Sequence, residues 1–362
     1  MLLKNKLKLI VILLILLTTS FFINNTKELS KSKNFDKKIL ASQIMNNSIN
    51  IIKEYKIEHN IEINQEFDIN KTGIIGDELT KITTTFGSLE SKRTSSNPNF
   101  AALVVDLLND LDLKAGDTVA ANFSGSFPSV NIAVLSALEA CDINAIIISS
   151  IGSSTYGANN PNLSYIDMEN LLYEKGIISN KSSYYSMGGI DDLGLEFEKA
   201  LKGSLIKRMS SYNIEYLNFE KFEENLDYRY NTYNSNGNIS AFINVGGNLV
   251  SFGKSSTLAY LSGGIIYDLP KNTNGIGLGQ MFIENNIPII HFLNIKDLAK
   301  KYGLPIDPVP IPNIGEGGVY YVYTYNKLLI IIVLSISLYT LKGIKYEDYF
   351  KDKKYFIEKQ ES

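Results

Sequence analysis

The sequence is poor in the residues that most often announce chemistry. It holds one cysteine, Cys141, in 362 residues. An internal disulfide is excluded, and so is a metal site built on clustered cysteines. Cys141 falls on the apolar side of a predicted helix, where a free thiol serves as a small buried hydrophobe. Histidine is nearly as scarce, with only His59 and His291, too few for a multi-histidine zinc centre. Lysine and arginine number 35 against 38 acidic residues, a formal charge of -3. Nucleic acid needs a positively charged face, and the composition offers none. No metal is expected, and no cofactor is specified.

Charge is missing from one long stretch. Leu9 to Ile23 carries none, and Lys4, Lys6 and Lys8 precede it. Basic residues ahead of an apolar core mark a signal peptide or an uncleaved signal anchor. No small-x-small cleavage pattern follows, so residues 1–26 are expected to be an anchor with a cytoplasmic N-terminus. Near the other end, Val319 to Tyr325 carries four tyrosines, Lys327 follows, and Leu328 to Leu341 is uncharged. That core is short for a bilayer, but interfacial tyrosines and a snorkelling Lys327 extend it. Lys342, Lys345, Lys351, Lys353, Lys354 and Lys359 then favour the cytoplasm. The expected protein therefore crosses the cytoplasmic membrane twice, with both termini inside. Residues 319–342 form the second span and 343–362 a lysine-rich tail. Residues 27–95 are a lead-in of helix and loop, with an amphipathic helix over Phe35 to Tyr55. Residues 96–316 make an exported domain.

The clearest pattern in that domain runs from Gly116 to Leu172. Val119 to Phe123 reads as a strand and Ser124-Gly125-Ser126 as a tight turn. Phe127-Pro128 opens a helix whose apolar residues, from Val130 to Cys141, recur at three and four, and Pro128 suits its first turn. Ala145 to Ile148 is a second strand. The whole is a βαβ unit with parallel pairing. Ile239 to Val245, ending in Gly246-Gly247-Asn248, and Ile287 to Phe292 add two buried strands. The predicted class is α/β, a mostly parallel sheet flanked by helices in Rossmann-like layers. Ligands in such sheets sit beyond the C-terminal strand ends. The sequence GIGLGQ at Gly275 to Gln280 is not a dinucleotide loop, since it follows no strand directly and lacks the third glycine spacing.

Three chemistries compete for this domain. In the first, the domain binds an anion. Lys92, Arg93 and Thr94, in the polar segment Ser88 to Phe100, form either a solvated loop or a clamp over the Ser124 turn. Gly125, Asn159, Asn160, Gly246 and Gly247 would supply turn backbone and amides around it. In the second, Ser124 or Ser126 is a nucleophile, His291 its base, and Asp167 or Asp307 orients the base. The turn SGSFP is not the G-x-S-x-G elbow, however, and a small turn is needed merely to pass from strand to helix. His291 could simply cap its strand. In the third, Asp167, Glu169 and Asn160 are oxygen ligands for calcium or magnesium. Residues two apart do not share a helix face, and acidity at a helix start explains these carboxylates more simply.

Four stretches carry a resemblance: TGIIGDELTKITTTFGSLESKRTSSNPNFAAL, GDTVAANFSGSFPSVNIAVLSALEA, GANNPNLSYIDMENLLYEKG and IPIIHFLNIKDLAKKYGLP. Through them most of the exported domain resembles the poly-gamma-glutamate system proteins, the PgsW family. The resemblance implies a membrane-anchored accessory of capsule biosynthesis or export. Its implied partners are the synthase and export subunits in the membrane, and the polymer itself, which carries one carboxylate per residue. It supplies no catalytic residues. The alternative expectation is an envelope hydrolase or transferase using Ser124 or Ser126 with His291.

Overall fold

The apolar runs at Thr118–Ser124 and Asn144–Ser150 have their central residues buried, as strands of a sheet covered on both faces must. The computed structural model describes residues 2–235, 237–253, 261–269 and 277–342, with backbone alone for 2–5. Ser255, Ser256, Thr257, the first two residues of GIGLGQ and the lysine-rich tail lie outside the described residues. The chain divides into two compact units, Ser32–Tyr320, and Met1–Lys31 with Tyr321–Ser362.

In chain order the first elements are α1 (Leu2–Asn25), β1 (Glu28–Lys31), α2 (Phe35–Glu58), β2 (Thr83–Thr85), α3 (Leu89–Ser95) and α4 (Phe100–Asp110). The βαβ unit follows as β3 (Thr118–Ser124), α5 (Pro128–Cys141) and β4 (Asn144–Ser150). Three two-residue strands, β5 (Ser153–Ser154), β6 (Asn159–Asn160) and β7 (Leu163–Ser164), lead into α6 (Tyr165–Glu174) and β8 (Ser182–Ser186). Then come α7 (Lys199–Ser210), β9 (Glu215–Tyr216), α8 (Phe222–Asn234), β10 (Ala241–Val245) and α9 (Leu249–Phe252). The chain ends with β11 (Gly264–Ile266), α10 (Leu278–Glu284), β12 (Ile289–Phe292), α11 (Ile295–Lys301), β13 (Tyr321–Thr324) and α12 (Lys327–Lys342).

The central sheet has the order β11-β12-β10-β3-β4-β8-β9. Every neighbouring pair is parallel except β11 with β12. From β3 the chain winds outward through β4, β8 and β9, then returns to lay β10 and β12 on the other side of β3. Winding therefore reverses between β3 and β10, and the loops leaving those strands diverge. A crevice at such a reversal is where open α/β sheets bind ligands. The α/β class with helix-flanked, mostly parallel strands is the observed one.

Alternation along β3 sends Ala120, Asn122 and Ser124 to one face. There Ala120, Ile148, Phe242 and Ile289 pack with Tyr233 of α8 and Phe282 of α10, and the Phe242 and Phe282 rings stack at 4.5 Å. Helices α2, α4 and α5 pack on one another in a second layer. The face that α2 buries, Ala41, Met45, Ile49 and Ile52, builds the expected lead-in into the domain. Its Lys38 is 1 % exposed and meets Asp106 at 2.7 Å.

The second unit starts with α1, within which Lys6–Asn25 is long and apolar enough to cross a membrane. β1 pairs antiparallel with β13, Glu28 opposite Thr324 and Lys31 opposite Tyr321. The expected span over 319–342 does not form one continuous helix. Its first part is turn and strand, and the apolar helix α12 has 16 residues. Among the described residues only the α1 segment meets the length for a span.

Candidate functional site

β3 delivers its last residue, Ser124, to the crevice, and the turn after it is held from three sides. Gly125 N–H donates to Ser150 O at 3.1 Å, and Gly125 O accepts from Ala158 N–H at 2.8 Å and from the Ser153 hydroxyl at 3.0 Å. A Cβ on Gly125 would stand 2.7 Å from Ile151 O, so only glycine lets the two loops approach this closely. One turn into α5, Asn131 Nδ2 donates to Ser124 O at 2.9 Å. The two hydroxyls then fall together. Ser124 Oγ accepts from Ser126 N–H at 3.2 Å and donates to Ser126 Oγ at 3.1 Å. Ser126 Oγ also accepts from Ser154 N–H at 3.0 Å.

Lys92 comes to this turn from α3, a helix capped by the Ser88 hydroxyl. Its side chain is buried, with Nζ donating to Ser126 O and standing 3.3 Å from the centre of the Phe127 ring. Among the described residues no carboxylate pairs with it. Burial pushes its pKa well below the ordinary lysine value, because a low-dielectric surrounding penalises the ammonium form.

Around these groups lies a cavity of about 600 Å³. Ser91 and Lys92 of α3, Ser124 and Ser126 after β3, and Ser150, Gly152 and Ser154 around the end of β4 line it. Gly188, Gly189 and Asp192 after β8, and Gly247 and Asn248 after β10, complete the wall. Strand ends on both sides of the winding reversal therefore contribute. A buried polar network forms the floor. Arg229 of α8 meets Asp192 Oδ2 at 2.8 Å, Asn122 Oδ1 at 3.1 Å and Asn225 Oδ1 at 2.9 Å. Asp192 also accepts from Ser186 Oγ and Asn225 Nδ2. Asn122 Nδ2 donates to Asn248 Oδ1 at 3.0 Å and to Ser251 Oγ at 2.7 Å. A fully bonded network of this kind fixes the loops it joins, since each group would be costly if left unpaired.

Set against protein-family models, curated proteins and solved structures, the chain matches none.

Of the expected site residues, Lys92, Ser124, Ser126 and Gly247 line the cavity, while Gly125 and Gly246 shape it. Gly246 has φ +91°, and a Cβ there would lie 3.1 Å from Ser124 Cβ. The others are elsewhere, and the expected triad does not assemble. His291 is fully buried on β12, with β10 between it and β3. Its Nδ1 accepts from Asn244 Nδ2 at 3.0 Å, and Phe252 stands edge-on at 4.9 Å. Burial lowers its pKa to about 4, so the ring is a neutral core group with no hydrogen bond to either serine. Asp167 caps its own helix, accepting from Ser164 N–H and Oγ at 2.7 Å each, and binds Arg208 and Tyr212. Asp307 takes Arg93, whose Nε is 2.7 Å away, and its backbone N–H donates to Thr94 Oγ1 at 3.0 Å. Arg93 and Thr94 thus fasten the proline-rich exit segment and form no clamp over the turn. Asn159 bonds Asp77 and Thr83, stapling the wall that carries Thr84 to Ser88, and Asn160 accepts from Asn162 N–H. Glu169 accepts from Tyr165 and Ser182. Both acids of the proposed metal set are therefore engaged structurally. Among the described residues no three His, Cys, Asp or Glu side chains gather as metal ligands.

Sequence reasoning missed Gly188-Gly189, Asp192 and Asn248 as site residues, while Ser154 falls in the Ser149 to Asn160 stretch that it placed at the strand ends. The paired glycines right after a strand were the available signal. That strand, Ser-Ser-Tyr-Tyr-Ser, reads as a flexible polar segment because it lacks aliphatic residues.

Proposed function

We propose that the chain is a membrane-anchored accessory of poly-gamma-glutamate synthesis or export. In this reading the crevice between β3 and β10 takes a carboxylate-bearing stretch of the polymer on the outer side of the membrane. One observation carries the reading. Asp192 is the single acid among the described residues lining the cavity, and Arg229 neutralises it. The crevice is thus free of repelling charge in a chain that is acidic overall, and it presents serine hydroxyls instead. Hydroxyls and turn backbone bind carboxylates by the same hydrogen bonds that bind phosphates. The resemblance of the quoted segments to poly-gamma-glutamate system proteins supplies the identity of the anion.

The test is binding of a fluorescent γ-glutamyl oligomer to the full chain in detergent, followed by anisotropy. A Cβ on Gly247 meets only Leu293, at 3.5 Å, so the site has room for the start of a side chain, and Gly247→Leu adds bulk to the crevice wall. It should weaken binding by about tenfold or more, on the order of 1.4 kcal/mol. Arg93→Ala, outside the crevice, should leave affinity unchanged. Equal binding by wild type and Gly247→Leu would remove the site from consideration.

We also propose that α12 is a second span. Leu328, Ile331, Leu334, Leu338 and Tyr339 are exposed and only Ser337 is buried, which suits lipid better than water. At 1.5 Å per residue its 16 residues make about 24 Å against a core of about 30 Å. Lys327 and Lys342 at its two ends can snorkel across the remainder.

A further inference from the structure

Two lysines in this protein are buried to the same degree and treated in opposite ways. Lys38 donates to Asp106, to the Ser32 hydroxyl and to Val319 O, the arrangement that keeps a buried ammonium charged. Lys92 has a single carbonyl, Ser126 O, and an aromatic face. Nothing in its surroundings offsets a positive charge fully, and burial makes the proton of an amine in that position easier to lose. A neutral amine is a base.

What lies beside it is a prepared hydroxyl. Ser126 Oγ accepts two hydrogen bonds, from Ser154 N–H and from Ser124 O–H. Both stabilise negative charge on that oxygen, and neither uses the Ser126 proton. The carbonyl oxygen that holds Lys92 belongs to the same residue as this hydroxyl, and the two oxygens of one serine lie within about 5 Å by bond geometry. To take the proton, Nζ must leave the Ser126 carbonyl and turn toward Oγ of the same residue. The turn opens into the cavity, so an incoming carbonyl carbon has access.

We propose that Ser126 and Lys92 are a nucleophile–base pair performing acyl transfer on an amide of the polymer bound in this crevice. The inference rests on the polymer-binding reading for its substrate. In the first step Ser126 Oγ bonds to the amide carbonyl carbon while its proton passes to Lys92 Nζ. The C–N bond then breaks, and Lys92 returns the proton to the departing amine. Water attacks the resulting ester to give a carboxylic acid and free Ser126, or a second amine attacks it to give a new amide. Base and nucleophile adjoin at one turn, as serine–lysine chemistry requires, without the distant His291.

The experiment uses the full chain in detergent with a fluorophosphonate probe, read by mass spectrometry, and with a γ-glutamyl oligomer, read by new amine ends. Wild type should acquire the probe on Ser126, with loss of fluoride, and Ser126→Ala should not. Lys92→Met should slow labelling about a hundredfold while its circular dichroism stays that of the wild type. The wild-type labelling rate should rise through one deprotonation lying below the ordinary lysine value, and Lys92→Met should lose that step. Labelling that survives Ser126→Ala, or that proceeds at the wild-type rate in Lys92→Met, overturns the pair. Oligomer that binds yet is never cut, with no adduct on Ser126, overturns the inference and leaves the binding reading standing. An adduct on Ser126 without oligomer affinity overturns the substrate named here together with the binding reading.

Discussion

Lys92 and Arg93 are neighbours in sequence and strangers in space. In a loop both could face one ligand, but α3 is a helix, and successive residues on a helix point about 100° apart. One enters the crevice and the other reaches Asp307. Ser88 was the available clue, since its hydroxyl caps the helix; without the helix, the pair reads as a clamp. The isolation of Lys92 has a consequence for stability. Above the unfolded lysine value both states are neutral and burial costs nothing. As pH falls below it, the unfolded chain gains a proton that the folded amine refuses, and stability drops until the lowered folded value is reached. Lys92→Met should therefore stabilise the protein by about 1–3 kcal/mol at neutral pH, with a smaller gain above about pH 10.5. Thermal melts in detergent at the two pH values measure both. His291 follows the same logic at the acid end. Its folded value near 4 lies below the unfolded value near 6.5, so stability is full above 6.5 and is lost down to 4. The loss is on the order of 3 kcal/mol. His291→Gln should melt with a shallower pH dependence across that window; an unchanged slope would assign the effect to another group.

At the scale of elements, the legible parts were those whose burial is apolar. β3, α5, β4, β10 and β12 all announce themselves through aliphatic runs or spacing. β8 does not, because its inward-facing Ser182 is satisfied by the Ser149 hydroxyl at 2.7 Å and not by aliphatic contact. α8 reads as a charged surface helix, yet its Arg229 and Tyr233 are buried, the arginine matched to an Asp192 thirty-seven residues away. Period and propensity carry no information about such long-range pairing. Glycines give the sharpest test at this scale. Gly125→Ala should destabilise the protein by about 1–3 kcal/mol through the Ile151 carbonyl. Gly203 lies within α7 with nothing within 4 Å of an added Cβ, and Gly203→Ala should stabilise by about 0.5–1 kcal/mol. Circular dichroism melts of the two variants should move in opposite directions.

For the whole molecule, the α/β class and the placing of the site beyond the strand ends followed from the alternation of strands and helices along the chain, whereas the triad required distances that no spacing supplies. Ser124 and His291 lie on strands that share β10 as a neighbour, and a sequence cannot say that β10 comes between them. The proposed two-span topology belongs to this scale as well. Cys141 is buried, so the native thiol is a quiet background for labelling. With an impermeant maleimide, a cysteine replacing the exposed Glu223 should react in intact cells, whereas one replacing Ser362 should react only after permeabilisation. Reaction of both before permeabilisation would leave α1 as the single crossing.

Where the domain begins and ends, one ammonium holds both strands of chain. Lys38 Nζ binds the Ser32 hydroxyl and Val319 O, and Ser32 N–H donates to Tyr320 O at 2.9 Å. Residues 32–320 are therefore closed like a ring with its clasp at the entrance. A mechanical load applied at the two ends is borne first by the clasp, which joins them directly, so little of it reaches the crevice until the clasp gives way. The same closure means that the original ends could be sealed and new ones opened at an outer turn such as Gly237, where an added Cβ meets nothing. A circular permutant cut there should fold with the crevice intact.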